Sequence, residues 1–94
     1  MAEIETIVLD GGQMLTRRSA HDHLSEQLAL PEYYGRNLDA LYDLLTERGS
    51  PARLVMRNRN TLLDGLGEYG AALCRTLEDA GRANPNLEVL FLED

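Results

Sequence analysis

Two carboxylates and three tyrosines in one short segment are the side chains of this sequence that point most directly to a function. Asp39 and Asp43 stand four residues apart, so on a helix they share one surface strip and repel each other. Such a like-charge pair destabilises an isolated helix by roughly 0.2–0.5 kcal/mol. Tyr33, Tyr34 and Tyr42 lie around the pair, and tyrosine is common at protein interfaces because it is large, stiff and polar at its tip. The combination predicts a protein-binding surface whose carboxylates accept paired hydrogen bonds from arginines.

The helix that carries these acids can be delimited from its flanking residues. Asn37 is a favourable N-cap, because its side-chain oxygen can accept a hydrogen bond from an unpaired backbone N–H of the first turn. The apolar residues that follow recur at the spacing of a buried helix face: Leu38, Leu41 and Leu45. We expect the helix to run from Leu38 to about Glu47 and to end at Gly49, with the loop Leu30–Gly35 leading into it.

Apolar, β-branched segments alternate with helical patterns along the rest of the chain. The strand-like segments are residues 3–10, 52–57 and 87–92. Three further helices are predicted: one capped by Ser19 and reaching Ala29, one capped by Asn60 and broken by Gly65 and Gly67, and one from about Glu68 to Gly81. Strands separated by helices indicate right-handed βαβ crossovers. The predicted fold is a single α/β domain over residues 1–94, a small three-stranded parallel sheet packed with three to four helices that cover its faces.

The composition restricts the class of partner. Sixteen acidic residues against nine arginines give a net charge of −7, and a protein with this charge repels free DNA or RNA and attracts basic partners. No basic region followed by an apolar run opens the chain, and no apolar stretch reaches the ~18 residues of a membrane span. We therefore expect a cytoplasmic protein that binds neither nucleic acid nor membranes.

The other reactive or glycine-rich positions are best explained by structure. Cys74 stands alone, so it forms no internal disulfide, and it lies on the inward side of a helix. His21 and His23 are two residues apart on a helix flank that we expect to be exposed, so they point in different directions and do not form a metal site. Gly11 and Gly12 follow a strand without a phosphate-loop pattern and predict a turn. Three arginines near the second strand are expected to be solvated or paired with acids: Arg53, Arg57 and Arg59.

The segment Leu28–Thr46 resembles the central motif of the barstar family, the intracellular inhibitors of secreted bacterial ribonucleases. It reads Leu-Ala-Leu-Pro-Glu-Tyr-Tyr-Gly-Arg-Asn-Leu-Asp-Ala-Leu-Tyr-Asp-Leu-Leu-Thr and follows that motif at almost every position. The first strand, the strand after Pro51, and the closing helix and strand are collinear with the family. The resemblance implies a three-stranded parallel sheet packed with helices and a protein that blocks a ribonuclease active site.

The resemblance also implies roles for individual residues. Asp43 matches the acid that enters the phosphate site of the ribonuclease and meets its arginines and catalytic histidine. Tyr33 matches the tyrosine that stacks on that histidine, and Asp39 matches an acid that faces another active-site arginine. Gly35 and Asn37 match positions that supply backbone contacts. The other residues of the implied binding surface are Tyr34, Tyr42 and Asp79.

Several positions depart from the family pattern. Tyr42 replaces a tryptophan between the two acids, which removes apolar contact area. Arg36 replaces an acid beside the interface, so the preferred partner is expected to differ from that of barstar itself. Asp79 stands in the place of a glutamate and is one carbon shorter. Pro51 lies near a family proline with a cis peptide bond, but it follows Ser50 rather than an aromatic residue, so both isomers of this bond remain open.

The sequence thus predicts a ribonuclease inhibitor rather than an enzyme, without cofactor or metal. Its expected partner is a barnase-like or related guanyl-specific microbial ribonuclease, bound one to one. An immunity or antitoxin protein for a different cationic nuclease or toxin would use the same surface. A more distant alternative is a small hydrolase that holds Mg²⁺ through Glu32, Asp39 and Asp43, and an interaction domain without an enzyme target comes last.

Overall fold

The computed structural model describes residues 4–93 and contains a parallel sheet of three strands. These are β1 (Glu5–Asp10), β2 (Ala52–Arg57) and β3 (Leu87–Phe91), in the spatial order β1-β2-β3. The central strand β2 pairs in parallel with both neighbours, so that Ile7, Leu54 and Val89 stand side by side. This arrangement confirms the predicted α/β fold. The predicted start of the first strand at Glu3 lies outside the described residues.

Four helices connect the strands: α1 (Arg17–Leu28), α2 (Leu38–Thr46), α3 (Arg59–Leu66) and α4 (Glu68–Ala83). The first crossover contains α1 and α2, and the second contains α3 and α4. A short 3-10 helix, Gly11–Gln13, follows β1 where the sequence predicted a turn. Gly11 is required there because a Cβ atom would lie 2.2 Å from the carbonyl oxygen of Asn58. None of the helices within residues 4–93 has the length and apolar character needed to cross a bilayer.

Two predicted helix starts are wrong: α1 is capped by another side chain, and α3 begins two residues earlier without a side-chain cap. Thr16 caps α1 in place of Ser19, since its Oγ1 accepts a hydrogen bond from the Ser19 N–H at 3.0 Å, and Ser19 Oγ accepts one from the Thr16 N–H at 3.0 Å. The helix α3 starts after Asn58 rather than at Asn60. Asn58 takes a left-handed conformation with φ 56°, and its Nδ2 donates to Asp10 Oδ1 at 2.8 Å. The reciprocal bonds of Thr16 with Ser19 and the distant partner of Asn58 are not visible at any one position of the sequence.

The end of α4 also differs from the prediction, which placed it at Gly81. The helix continues to Ala83, and Asn84 is its C-cap. A Cβ atom on Gly81 would lie 3.1 Å from Val89 Cγ2. This glycine therefore allows α4 to pack closely on β3 and does not end the helix.

In the described part of the chain, residues 4–93, helices cover only one face of the sheet. The strand residues that point to this face form a core with the helices and include Ile7, Leu9, Ala52, Leu54, Met56 and Leu87. On the other face, Val8 and Leu90 lie in register with Val55, and each of the two is 42% exposed. The expectation that helices cover both faces is wrong, because strands added in one direction by right-handed crossovers receive both crossovers on the same side. Cys74 is buried in the core, as predicted.

The loop between α2 and β2 contains the proline whose isomer the sequence left open. The Ser50–Pro51 bond is trans, since no cis peptide bond occurs within residues 4–93. This loop already joins the sheet, because the Glu5 N–H donates to the Pro51 carbonyl at 3.4 Å.

Candidate protein-binding surface

The helix α2 presents its acids outward because its cap and its apolar stripe are both satisfied. Asn37 Oδ1 accepts a hydrogen bond from the Ala40 N–H at 2.8 Å, as the sequence predicted. The leucine stripe of the helix is buried or half-buried against the core. Asp39 and Asp43 consequently lie on the opposite, exposed side.

The loop before α2 and the outer side of α2 enclose a shallow depression of about 230 Å³. We call it the acidic depression, and its lining residues are Tyr33, Tyr34, Gly35, Ala40, Asp43, Leu44 and Glu47. Four of these are binding residues that the sequence predicted: Tyr33, Tyr34, Gly35 and Asp43. A Cβ atom added to Gly35 would lie 3.2 Å from Asn37 Nδ2. A side chain at this position would therefore fill the depression and press on the cap of α2.

Glu47 belongs to this surface although the sequence analysis did not identify it as a binding residue. Asp39, Asp43 and Glu47 follow one another at intervals of four residues and are all exposed, and we call them the acidic stripe. The repeated interval of four was the signal that could have revealed Glu47. Asp39 lies in the first turn of α2, where the helix dipole favours an anion, whereas Glu47 is the C-cap, where the dipole disfavours one. Asp43 and Glu47 therefore gain no stabilisation from the helix that carries them.

Within residues 4–93, the acidic stripe has no positive partner, in contrast to six other acidic residues. Within residues 4–93, no arginine or histidine nitrogen lies within 4.0 Å of a carboxylate oxygen of the stripe. Elsewhere six acidic residues form ion pairs with arginines: Glu5, Asp22, Glu78, Asp79, Glu88 and Glu93. The oxygen atoms of the stripe can thus accept charge-assisted hydrogen bonds from an external cation.

The two tyrosines of the loop take opposite positions. Tyr33 is 81% exposed, so a partner can cover most of its ring, whereas Tyr34 is only 6% exposed. The Tyr34 N–H donates to the Pro31 carbonyl at 3.0 Å, which turns the chain between the two rings. Tyr33 therefore remains a predicted contact through its side chain. Tyr34 supports the acidic depression from below and offers a partner only an edge.

A buried histidine holds Tyr34 in place. His21 is 3% exposed, and its Nδ1 and Nε2 atoms each lie 2.6 Å from a phenol oxygen, those of Tyr34 and Tyr69 respectively. A neutral imidazole donates from one nitrogen and accepts at the other, so both nitrogens are satisfied at once. The expectation that His21 is exposed is wrong, because this residue shares the inward side of α1 with Ala20 and Leu24. The imidazole of His21 thus links α1 to the loop before α2 and to α4.

Burial sets the protonation of this cluster. Desolvation lowers the pKa of His21, and the positive charges of Arg36 and Arg17 lower it further. Desolvation also raises the pKa of Tyr34 to about 12, and nearby Tyr69 adds to this effect. Imidazole and phenol are therefore both neutral near pH 7. The contact that positions the loop is a hydrogen bond between uncharged groups.

The other end of α2 is fixed by Asn84, a buried polar residue that caps α4. Its Nδ2 donates to the carbonyls of Leu45 and Arg48, both at 2.9 Å, and its Oδ1 accepts from the Asn86 N–H at 2.9 Å. The Leu45 carbonyl belongs to the last turn of α2, where carbonyls lack helical donors. Asn84 thus ties the end of the acidic helix to α4. No sequence pattern identified it, because its partners are 36 and 39 residues away.

The other four predicted binding residues do not line the acidic depression. Asn37 uses its side chain to cap α2, and Asp39 is exposed in the first turn. Tyr42 is half-buried and packs against the core. Asp79 lies on α4, and its Oδ1 accepts from Arg82 Nη1 at 3.0 Å. A partner that bound Asp79 would have to compete with this existing ion pair.

The magnesium alternative involves three acids: Glu32, Asp39 and Asp43. Within residues 4–93, no group of three His, Cys, Asp or Glu side chains is placed to hold a metal ion. Glu32, Asp39 and Asp43 therefore do not form a group of this kind.

Comparison with known proteins agrees with the resemblance carried by the segment Leu28–Thr46. A family model described as Barstar (barnase inhibitor) matches residues 4–92. A protein of Bacillus subtilis (strain 168) named "Putative ribonuclease inhibitor YrdF" is 37% identical over 75 residues, which span 79% of this chain and 82% of that protein. The chain belongs to the barstar family.

Proposed function

We propose that this member of the barstar family inhibits a secreted microbial ribonuclease by placing the acidic stripe and Tyr33 in its cationic active site. The observation that carries the proposal is the acidic depression, which combines an exposed tyrosine with carboxylates that have no cationic partner within residues 4–93. Packing does not require these carboxylates. The helix would be more stable without Asp43 and Glu47, given their mutual repulsion and the helix dipole.

Charge complementarity explains how such a surface inhibits. An enzyme that cleaves RNA gathers cationic side chains around a phosphate site, and carboxylates along one side of a helix imitate the phosphates of its substrate. Opposite charges on two partners accelerate their encounter, whereas ion pairs that become buried slow their dissociation. The net charge of −7 favours approach to a basic enzyme. Inhibition of this kind needs no catalytic residue, so we infer a binding protein rather than an enzyme.

We assign the main anchor to Asp43, which lines the acidic depression together with Tyr33 and Gly35. Tyr33 would cover an active-site side chain with its ring, and Asp39 would bind a second cationic group one turn away. Gly35 leaves room for the partner to approach the backbone. Further contacts at the edge of the surface are assigned to Tyr34, Asn37, Tyr42, Glu47 and Asp79.

The proposed partner is a barnase-like or related guanyl-specific ribonuclease, bound one to one in the cytoplasm of the cell that produces it. An inhibitor in that place would protect the RNA of the cell before the ribonuclease is exported. The same acidic surface would suit an immunity protein for a different cationic nuclease or toxin. The departures from the family at Arg36 and Tyr42 favour a partner that differs from barnase.

Titration of ribonuclease activity tests the proposal. Increasing amounts of the protein are added at low salt to a panel of secreted guanyl-specific ribonucleases, barnase among them, and cleavage of RNA is followed. We expect the activity of at least one enzyme to fall linearly to zero at one equivalent of inhibitor. Asp43→Ala should need a large excess for the same effect.

A panel extended to cationic nucleases of other specificities also separates the two candidate functions. Inhibition restricted to nucleases of another specificity would favour the immunity protein over the inhibitor of a guanyl-specific enzyme. Full activity of every guanyl-specific ribonuclease at several equivalents of inhibitor would refute the proposal.

A further inference from the structure

A second depression, of about 460 Å³, adjoins the loop before α2 and has the opposite charge. We call it the basic depression, and its lining residues are Arg17, Arg18, His21, Asp22 and Arg36. It gathers three guanidinium groups and one carboxylate on a protein whose net charge is −7. The solubility of an acidic protein does not require such a cluster, so a binding role is the simpler explanation for it.

The single carboxylate of the basic depression neutralises only one of its three arginines. Arg36 takes a left-handed conformation with φ 56°, donates to the Arg18 carbonyl at 3.2 Å and pairs with Asp22. A left-handed backbone is unfavourable for a residue with a side chain, yet this position carries arginine. The guanidinium carbon of Arg17 lies 4.1 Å from the centre of the Tyr69 ring. Within residues 4–93, neither Arg17 nor Arg18 has a carboxylate oxygen within 4.0 Å.

The basic and acidic depressions adjoin each other. Tyr34 lines the acidic one, and its hydroxyl lies 2.6 Å from Nδ1 of His21, which lines the basic one. Gly35 and Arg36 are consecutive residues that line different depressions. A stable protein interface covers about 800 Å² on each partner. A ribonuclease seated on the acidic depression would therefore also cover the basic one.

We propose that the basic depression binds carboxylates at the rim of the partner's active site and thereby selects which ribonucleases the protein inhibits. This inference rests on the proposed function. Guanidinium groups bind carboxylates through paired hydrogen bonds. A ribonuclease whose active-site rim carries only basic residues would instead be repelled by the arginines of the basic depression. Selection of this kind needs a repulsive element against wrong partners as well as an attractive one for the right partner. Free nucleic acid, another polyanion, is disfavoured by the overall negative charge.

Two double charge reversals of equal size test this selection. Arg17→Glu with Arg18→Glu alters the first turn of α1, where acids suit the helix dipole, so the fold should be retained. Arg57→Glu with Arg75→Glu is the matched control, because both arginines are exposed and line neither depression. Dissociation constants are measured for the ribonuclease that the unaltered protein inhibits most strongly.

Long-range attraction and local contact predict opposite results in this experiment. Both double variants make the protein more negative, which speeds association with a basic ribonuclease. If the basic depression contacts rim acids, Arg17→Glu with Arg18→Glu weakens binding about tenfold, since two favourable charge pairs become repulsive. The control should bind as tightly as the unaltered protein or more tightly. Equal affinities of the two double variants would overturn the inference.

Two further measurements test whether the basic depression acts on the ribonuclease itself. Replacing the rim acids of the ribonuclease by lysine should reverse the preference, so that Arg17→Glu with Arg18→Glu binds more tightly than the unaltered protein. Inorganic phosphate should not bind the unaltered protein in calorimetry. The inference would be overturned if the unaltered protein bound phosphate and the double variant Arg17→Glu with Arg18→Glu did not. The basic depression would then bind small anions independently of a ribonuclease.

The proposed function and this inference fail in distinguishable ways. If Asp43→Ala abolishes inhibition while the two double variants behave alike, the acidic depression is the binding surface and only selection by the basic depression is wrong. If the unaltered protein inhibits no ribonuclease, both proposals are refuted.

Discussion

The outer sides of α2 and α4 carry acidic residues in opposite arrangements. On α4, Glu78 and Asp79 precede Arg82 by four and three residues and pair with it at 3.5 and 3.0 Å. On α2, the acidic stripe repeats every four residues with no cation beside it within residues 4–93. The two helices pack against each other, and both bury an apolar side in the same core. Packing therefore does not explain the difference.

The difference separates charges that serve the fold from charges that serve a partner. An acid followed by a cation at i+4 stabilises a helix by about 0.2–0.5 kcal/mol, and like charges at that spacing cost a similar amount. Arg82 in the last turn of α4 also suits the helix dipole, whereas Glu47 at the end of α2 does not. The acidic stripe thus lowers stability slightly. A role in binding accounts for this cost, and a role in folding does not.

The largest expected effect distinguishes the two helices by their contribution to binding. Asp43→Ala should weaken binding of the ribonuclease by about 3 kcal/mol or more, because a buried cation of the enzyme loses its partner. Its free energy of unfolding should stay constant or rise, since repulsion within the acidic stripe is relieved. On α4, Asp79→Ala should weaken binding by less than about 1 kcal/mol. Calorimetric titration measures both variants, and equal losses would abolish the distinction between the helices.

The next effect tests the link that holds α2 against α4. Asn84→Ala removes the donors to the Leu45 and Arg48 carbonyls and should lower the free energy of unfolding by about 1–3 kcal/mol. Urea denaturation measures the loss. Asn86→Ala is the control, because the Nδ2 of this residue donates to the Gly49 carbonyl at an exposed site, and its cost should be clearly smaller. An unchanged stability of Asn84→Ala would mean that apolar packing alone positions α2.

A smaller effect tests whether the loop before α2 belongs to the binding surface. Tyr33 is 81% exposed, so Tyr33→Ala should change the free energy of unfolding by no more than about 0.5 kcal/mol and weaken binding by about 1–2 kcal/mol. Tyr34→Phe removes the hydroxyl bonded to His21 and should instead cost about 1 kcal/mol of stability. Denaturation and calorimetry separate the two effects. If Tyr33→Ala binds as tightly as the unaltered protein, the loop lies outside the interface.

The smallest effect concerns the pH dependence of the support beneath the loop. The pKa of His21 is lower in the folded protein than its ordinary value of 6.5. The neutral imidazole of His21 therefore contributes its full stabilisation above pH 6.5. This stabilisation is lost as the pH falls from 6.5 towards the lower pKa of the folded state. The free energy of unfolding should be lower at about pH 5.5 than at about pH 7.5, and this decrease should be smaller in His21→Gln. An identical decrease in both proteins would assign the pH dependence to other groups.

The acidic helix could be predicted from the sequence because its signals are local. The cap at Asn37, the leucine stripe and the spacing of the acids all lie within one segment. The structure accordingly begins α2 at the predicted residue, Leu38, and ends it at Thr46, one residue before the predicted end. The assignment of Asp39 and Asp43 to an exposed strip depended only on this helix.

The support beneath that surface could not be predicted because its contacts are distant in the sequence. The sequence analysis places His21 on an exposed helix flank, although it shares the spacing of a buried face with Leu24 and Leu28. Its partners Tyr34 and Tyr69 are 13 and 48 residues away, so only the fold reveals that their phenols satisfy the imidazole. The open face of the sheet likewise follows from the order of the strands and not from the sequence of any one strand.

Competition for the phosphate site of the ribonuclease tests most directly whether the acidic stripe enters the active site. A guanosine monophosphate that occupies this site is added at increasing concentration, and the dissociation constant of the inhibitor is measured by calorimetry. We expect the apparent dissociation constant to rise in proportion to the nucleotide concentration, because the two ligands exclude each other. If the apparent dissociation constant does not change with the nucleotide concentration, inhibitor and nucleotide bind at the same time. That result would contradict the claim that the acidic stripe enters the active site.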